Sequence, residues 1–198
     1  MSSDSGSGTH PLIARINFEA GCIRGISRRQ TKLSDLKECF ADADAFREAL
    51  AANDVVVYEI SGADAGAGEG DLHYGLGKIM PGRIGREYFL TKGHLHAWRP
   101  AAEVYISLRG QGRILLEDEK TGEARMELFD GGCVVYVPGH TAHRTVNTGD
   151  EPLIYLGICP ARAGHDYETL KARPFAHVVI DRNGEPAMVE RAAFPQSF

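Results

Sequence analysis

From Leu72 to Ile158 the chain reads as short β-favouring runs cut by turns. The runs are LHYGLGKIM, EYFLTKGHLH, EVYISL, RILLEDE, ARMELF, CVVYVP and EPLIYLGI, with PGRIG, RGQG, KTGE and DGG between them. Strands this short, recurring every eight to twelve residues, can bury their apolar faces only by closing into a sandwich or barrel. No repeat of fixed period appears, and no Pro-rich, Ser-rich or charged linker interrupts the pattern. With 198 residues in all, the expectation is an all-β domain over residues 34–190, preceded by a tail and lead-in (1–33) and followed by a short C-terminal tail (191–198).

Before the β region stands one helical segment. Ser34 is a candidate N-cap, Leu36, Phe40, Ala43, Phe46 and Leu50 recur at helical spacing, and Asn53 can end the helix in the left-handed region. DVVVYEI (54–60) predicts a strand and SGADAGAGEGD (61–71) a loop. Beyond the β region come a short helix at Tyr167–Ala172, a strand at 177–180 and a turn at Asp181–Gly184. Ser2 to Gly8 are small and polar and read as a mobile tail.

Lys and Arg number 22 against 27 Asp and Glu, a net charge of −5, so no global field draws this chain to nucleic acid or an anionic membrane. The cysteines at 22, 39, 133 and 159 form no CxxC pair, which predicts reduced thiols of a cytoplasmic protein, not a disulfide framework or zinc knot. The first ten residues lack the basic and apolar regions of a signal peptide, and no run reaches the ~18 apolar residues of a membrane span.

A lone histidine in a β protein is ordinarily a satisfied polar residue; the combination here is not ordinary. His94 and His96 share one strand face by the two-residue alternation, and Glu103 opens the next strand with Tyr105 and Ser107 on its face. His143 follows a Pro-terminated strand, with Thr145 on the same face. Three imidazoles and a carboxylate make a mixed N/O set for one divalent ion, Fe2+ first and otherwise Mn2+, Ni2+, Zn2+ or Co2+, with positions left for water or substrate.

His94, His96, Glu103 and Gly110, then Gly132, Pro138, His143 and Asn147, resemble the two-part signature of the cupin superfamily. Two departures stand out. Six residues separate His96 from Glu103 where three or four are usual, and His140 replaces the usual glycine, which makes it a surface or rim residue that still competes for the role of His143. The longer spacing, with TKGHLHAWRPAAEVYISLRGQGRILLE, VVYVPGHTAHRTVNTGDEPLIYLGI and AGHDY, resembles cupin-type phosphoglucose isomerases over roughly residues 50–190. The resemblance implies a double-stranded β-helix (a jelly-roll barrel) and a homodimer. It implies interconversion of glucose 6-phosphate and fructose 6-phosphate, with His94, His96, Glu103 and His143 as metal ligands.

An aldose–ketose isomerase moves a hydrogen between C1 and C2, by a proton relay through an enediol or by a hydride shift, and a divalent ion suits either route. Glu103 is a ligand, a base or both. Tyr105 points into the same cavity, and His165 and Tyr167 resemble the family's sugar-contacting pair; Glu103, Tyr105 and His165 are the catalytic candidates. Thr91, Lys92 and Gly93 offer a hydroxyl, an ammonium and an unhindered N–H as an anion cradle. Tyr58 can join them from its strand, and Arg83 and Arg86 are nearby cations. At two phosphate contacts where the resemblance implies Thr and Tyr, this chain has Gly77 and Cys159. Those departures favour an isomerase of an unphosphorylated aldose as the second reading. A metal-dependent dioxygenase and a non-catalytic sugar-binding cupin are the others.

Overall fold

A computed structural model describes residues 13–64 and 66–194; the mobile tail expected at Ser2–Gly8 lies outside them. The strands are β1 (Ile16–Asn17), β2 (Cys22–Ile23), β3 (Arg29–Lys32), β4 (Val56–Asp64), β5 (Leu72–Ile79), β6 (Arg83–Ile84) and β7 (Glu87–Tyr88). They continue as β8 (Glu103–Arg109), β9 (Gln111–Asp118), β10 (Ala124–Asp130), β11 (Val134–Val137), β12 (Thr141–Asn147), β13 (Leu153–Pro160), β14 (His177–Arg182) and β15 (Glu185–Glu190). Two helices, α1 (Ala43–Ala52) and α2 (Glu168–Ala172), complete the chain with short 3₁₀ turns.

Six strands form one antiparallel sheet in the order β11-β8-β13-β5-β4-β3, and a second has the order β10-β9-β12. Side chains of both meet in one core: Tyr105, Leu153, Tyr155 and Ile79 from the first sheet and Ile114, Phe129 and Val146 from the second are all buried in it. This is the expected jelly-roll of the cupin class, with α1 packed through Phe46 and the turn before it through Phe40. A four-stranded sheet β15-β14-β7-β6 lies beside it and covers Phe194 with Val178, Ile180 and Val189. β3 closes the six-stranded sheet by pairing with β4.

Four local expectations change. The segment from Ser34 is not one helix: a 3₁₀ turn (Leu33–Leu36) precedes α1, whose N-cap is Asp42, accepting from the Ala45 N–H at 2.9 Å. Ser34 is spent elsewhere, donating its N–H and hydroxyl to the Asp54 carboxylate. Asn53 ends α1 in extended backbone at φ −166, not in the left-handed region. The loop expected from Ser61 begins later, because β4 continues through Asp64 in register with β5.

EYFLTKGHLH is no continuous strand either. Gly93 takes φ 73, which breaks the extended backbone, and only isolated bridges follow, His94 to His143 and Leu95 to Asp166. An added Cβ at Gly93 would come within 2.8 Å of Phe175 and 2.9 Å of the Arg144 Cβ. His94 and His96 therefore reach one site through bridges to β12 and the Asp166 segment, not through the alternation of a strand.

Candidate metal centre and substrate cavity

β8 alternates cleanly, with Glu103, Tyr105 and Ser107 buried. β12 is buried along its whole length and brings His143 and Thr145 against them. Glu103 Oε2 lies 3.1 Å from His143 Nε2, 3.2 Å from His96 Nε2 and 3.8 Å from His94 Nε2. The four donor atoms all fall within 4.8 Å of one another, close enough for small side-chain shifts to bring them onto one ion at about 2.1 Å.

The tautomers show what the cluster lacks. The Nδ1–H groups of His96 and His143 donate to the carbonyls of Ala101 and Thr141, each at 3.0 Å. A neutral ring so held aims an Nε2 lone pair at a carboxylate, and only a proton or a metal cation makes that contact attractive. Burial, then His143 and His165, push the His94 imidazole well below its usual range, so it stays neutral, and its buried Nε2 has no hydrogen-bond partner among the described residues. Burial raises the Glu103 carboxyl, but when His143 and His96 also carry an Nε2 proton their hydrogen bonds outweigh it and hold the group below the usual carboxylate range. One bound divalent ion fits this donor set and satisfies all four groups. Cys159 lines the cavity outside the four-residue cluster, and burial and then Glu103 push its thiol up to about 12. His140 is not a ligand: its Nδ1 lies 3.8 Å from Glu119, outside the cluster.

Beside the cluster opens a cavity of about 510 Å³. Glycines make it. Gly62, Gly75 and Gly157 stand in register across β4, β5 and β13, next to Tyr105 on β8, so one row of the sheet's inner face has no side chains to fill the interior. A Cβ on Gly157 would meet Glu103 Oε1 at 2.7 Å and the Tyr105 ring at 3.4 Å, so that second carboxylate oxygen faces the cavity floor beside Tyr105, which hydrogen-bonds the Glu103 carboxylate. Tyr58, Thr91, Lys92, Gly93, Tyr105, His165 and Tyr167 all line this cavity. His165 stacks on Tyr167 (5.8 Å, 5°) and meets His94 edge-on at 4.3 Å. Burial lowers the His165 imidazole. Thr91 Oγ1 accepts from the Thr145 N–H at 3.1 Å, and the Lys92 ammonium stands 5.3 Å over the Tyr167 ring.

Arg83 and Arg86 are not at the cavity. Arg83 pairs with the Asp181 carboxylate and Arg86 bonds its carbonyl at 3.1 Å, because β6 and the β14 turn belong to the four-stranded sheet. The sequence reading missed Arg29, His73 and Tyr155, which line the cavity. His73 was accessible through its alternation with Gly75 and Gly77. It also missed Arg99, which ties the two halves of the site together: its guanidinium donates to the His96 carbonyl, to Asp166 Oδ2 at 2.6 Å and to Glu119 at 3.0 Å.

An antiparallel double-sheet barrel enclosing three imidazoles and a carboxylate beside an open cavity defines a cupin with a candidate metal centre. A family model described as glucose-6-phosphate isomerase (GPI) matches residues 30–194. The chain belongs to the glucose-6-phosphate isomerase family. A glucose-6-phosphate isomerase of Pyrococcus horikoshii is 47% identical over 91% of this chain and 95% of its own length; one of Pyrococcus abyssi is 44% identical over the same shares. Among solved structures, an oxalate decarboxylase of Bacillus subtilis aligns with TM-score 0.44 and 25% identity over 54% of this chain and 26% of its own.

Proposed function

We propose that this chain is a metal-dependent isomerase of glucose 6-phosphate and fructose 6-phosphate, acting in glycolysis and gluconeogenesis, with residues 34–190 as the cupin unit. His94, His96, Glu103 and His143 hold one divalent ion per subunit, Fe2+ first among the first-row metals. The observation that carries the reading is the convergence of those four groups on a cavity of sugar size inside a chain with such close isomerase relatives. A bound ion supplies Lewis acidity toward the substrate's carbonyl and neighbouring hydroxyl oxygens.

The residues divide the remaining work. Glu103 contributes Oε2 to the metal set, and Oε1 faces the glycine row where C1 and C2 would lie. In the enediol route Glu103 takes the proton from C2 of the aldose and returns it at C1. The C2–H electron pair becomes the C1=C2 bond as O1 gains a proton; in the second half O2 loses one and becomes the carbonyl. His165, held neutral by burial, gives its ring N–H proton to O1 in the first half and recovers one from O2 in the second. Tyr105 donates to Glu103 and keeps Oε1 turned to the floor. Thr91, Gly93 and Tyr58 hold the far end of the sugar phosphate, and Tyr167 stacks to fix His165.

The test is a coupled assay of fructose 6-phosphate isomerisation by metal-loaded and metal-stripped protein. Turnover only with metal supports the reading; equal turnover without metal overturns it. Among the described residues no helix is long and apolar enough to cross a membrane, and we place the protein in the cytoplasm. The exposed Leu128, Val134 and Tyr136 on β10 and β11 support a homodimer.

A further inference from the structure

We propose that Arg29 is the cation that reads the substrate's phosphate and so sets the preference for a phosphorylated sugar; this deepens the isomerase reading and rests on it. The argument is one of register. Arg29 on β3 stands opposite Ile60 on β4, Ile60 opposite Gly77, Gly77 opposite Tyr155, and Tyr155 opposite Ser107. Residues paired across a ladder share a face, so Arg29 belongs to the inner face with Ile60, Gly77 and Tyr155, all of which line the cavity. Gln30 takes the other face and donates to Glu59 at 2.7 Å, whereas Arg28, which also lines the cavity, is tied to Glu59 with Nη1 3.1 Å from Oε2.

Arg29 is also, with Lys92, one of two cavity cations that make no ion pair among the described residues. Arg28 is engaged with Glu59, and the Lys92 ammonium stands over Tyr167. Among the described residues Arg29 makes no ion pair. Its row meets β8 at Ser107, about 13 Å along the strand from Glu103, and Arg29 stands four strands beyond β8, about 19 Å across the sheet, a span that the long Arg29 side chain and the curl of the barrel shorten. Glu103 and Arg29 line one cavity floored by the glycine row, so a six-carbon chain can lie there with its reacting carbons at Glu103 and its phosphate toward Arg29. The other groups there are neutral: buried Tyr58 and Tyr155, whose hydroxyls burial keeps protonated, and Thr91. Neutral donors alone do not offset the desolvation of a dianion, whereas a guanidinium binds two phosphate oxygens at once. Because β3 is the edge strand, its long side chain can close over the phosphate from the solvent side.

The experiment compares wild type with Arg29→Met, Arg29→Lys and Arg28→Met, all metal-loaded. Arg29→Met should raise KM for fructose 6-phosphate about 10- to 100-fold, the size of one charge-assisted hydrogen bond, with kcat within about 3-fold. Arg29→Lys should recover part of that loss, and Arg28→Met should change KM less than about 3-fold. Inorganic phosphate serves as the probe independent of turnover: its upshift of the melting temperature should be present in wild type and lost in Arg29→Met. A wild type that isomerises fructose 6-phosphate beside an Arg29→Met variant with unchanged KM and unchanged phosphate upshift overturns this inference alone. A wild type without isomerase activity overturns the isomerase reading, and the phosphate upshift then still decides whether Arg29 binds the anion.

Discussion

The ring of Tyr155 lies in the space that a side chain at position 77 would occupy: a Cβ built on Gly77 would stand 2.3 Å from Tyr155 Cζ and 2.6 Å from its hydroxyl oxygen. The two residues pair across β5 and β13, beside a shift of register between Ile154 and Tyr155. A glycine on one strand therefore lets a tyrosine on the next lean into the cavity, where its hydroxyl meets Thr145.

Gly77→Ala should consequently destabilise the protein by about 1–3 kcal/mol, because the Tyr155 ring must leave its buried contacts to make room for the new Cβ. Combining it with Tyr155→Leu should restore much of that loss, since the two residues contact each other and their effects are not additive. Urea melts of the single and double variants measure the coupling; strictly additive losses would show that the ring is free to move.

Metal should stabilise the fold. An ion that binds only the folded state contributes about 2.7 kcal/mol at a hundredfold excess over its Kd, worth roughly 5–10 °C in Tm at this chain length. His94→Ala, His96→Ala and His143→Ala should each lower metal content and shrink that rise, as read by elemental analysis and thermal melts. An equal rise in all three variants would place the ion elsewhere.

Arg99 and Asp166 give the fold an acid-sensitive tie. The Thr169 N–H, the Thr169 hydroxyl and the Arg99 guanidinium hold the Asp166 carboxyl at about 2, against 3.8 ordinarily. A group depressed in the folded state adds its full stability above the unfolded value, and loses it as pH falls through the folded one. The stability gap between wild type and Asp166→Asn should thus be widest at neutral pH and narrow as pH falls from about 4 toward about 2. Melts at pH 7 and pH 3 measure it; a gap independent of pH would remove Asp166 ionisation as its source.

Glu103→Gln separates ligand from base. The variant keeps one ligating oxygen, so a ligand role alone predicts weaker metal binding, with activity recovered at excess metal. The combined role proposed above predicts a loss of ~100-fold or more that no metal concentration repairs, and deuterium at C1 or C2 of product formed in heavy water. Unlabelled product together with metal rescue points instead to a hydride shift.

The β runs, Glu103 with Tyr105, and His143 with Thr145 were legible in the bare sequence, because strand alternation and turn chemistry are local properties with fixed periods. The motif spacing was equally local. It brought His94, His96, Glu103 and His143 together correctly, although the alternation invoked for His94 and His96 does not exist: Gly93 turns the backbone there. Register, by contrast, depends on which strands meet, and nothing in RQTK or in a scatter of glycines announces it. Only the assembled sheet aligns Gly62, Gly75 and Gly157 into a floor, sets Tyr155 over Gly77 and brings Arg29 to the cavity's edge. Arg99 and Asp166 are 67 positions apart in the chain, and their pairing follows from the bridges that fold the Asp166 segment back on Leu95. The sequence determined the ligand types and the class of barrel; the shape of the cavity and the cations at its edge were decided by contacts between residues far apart in the chain.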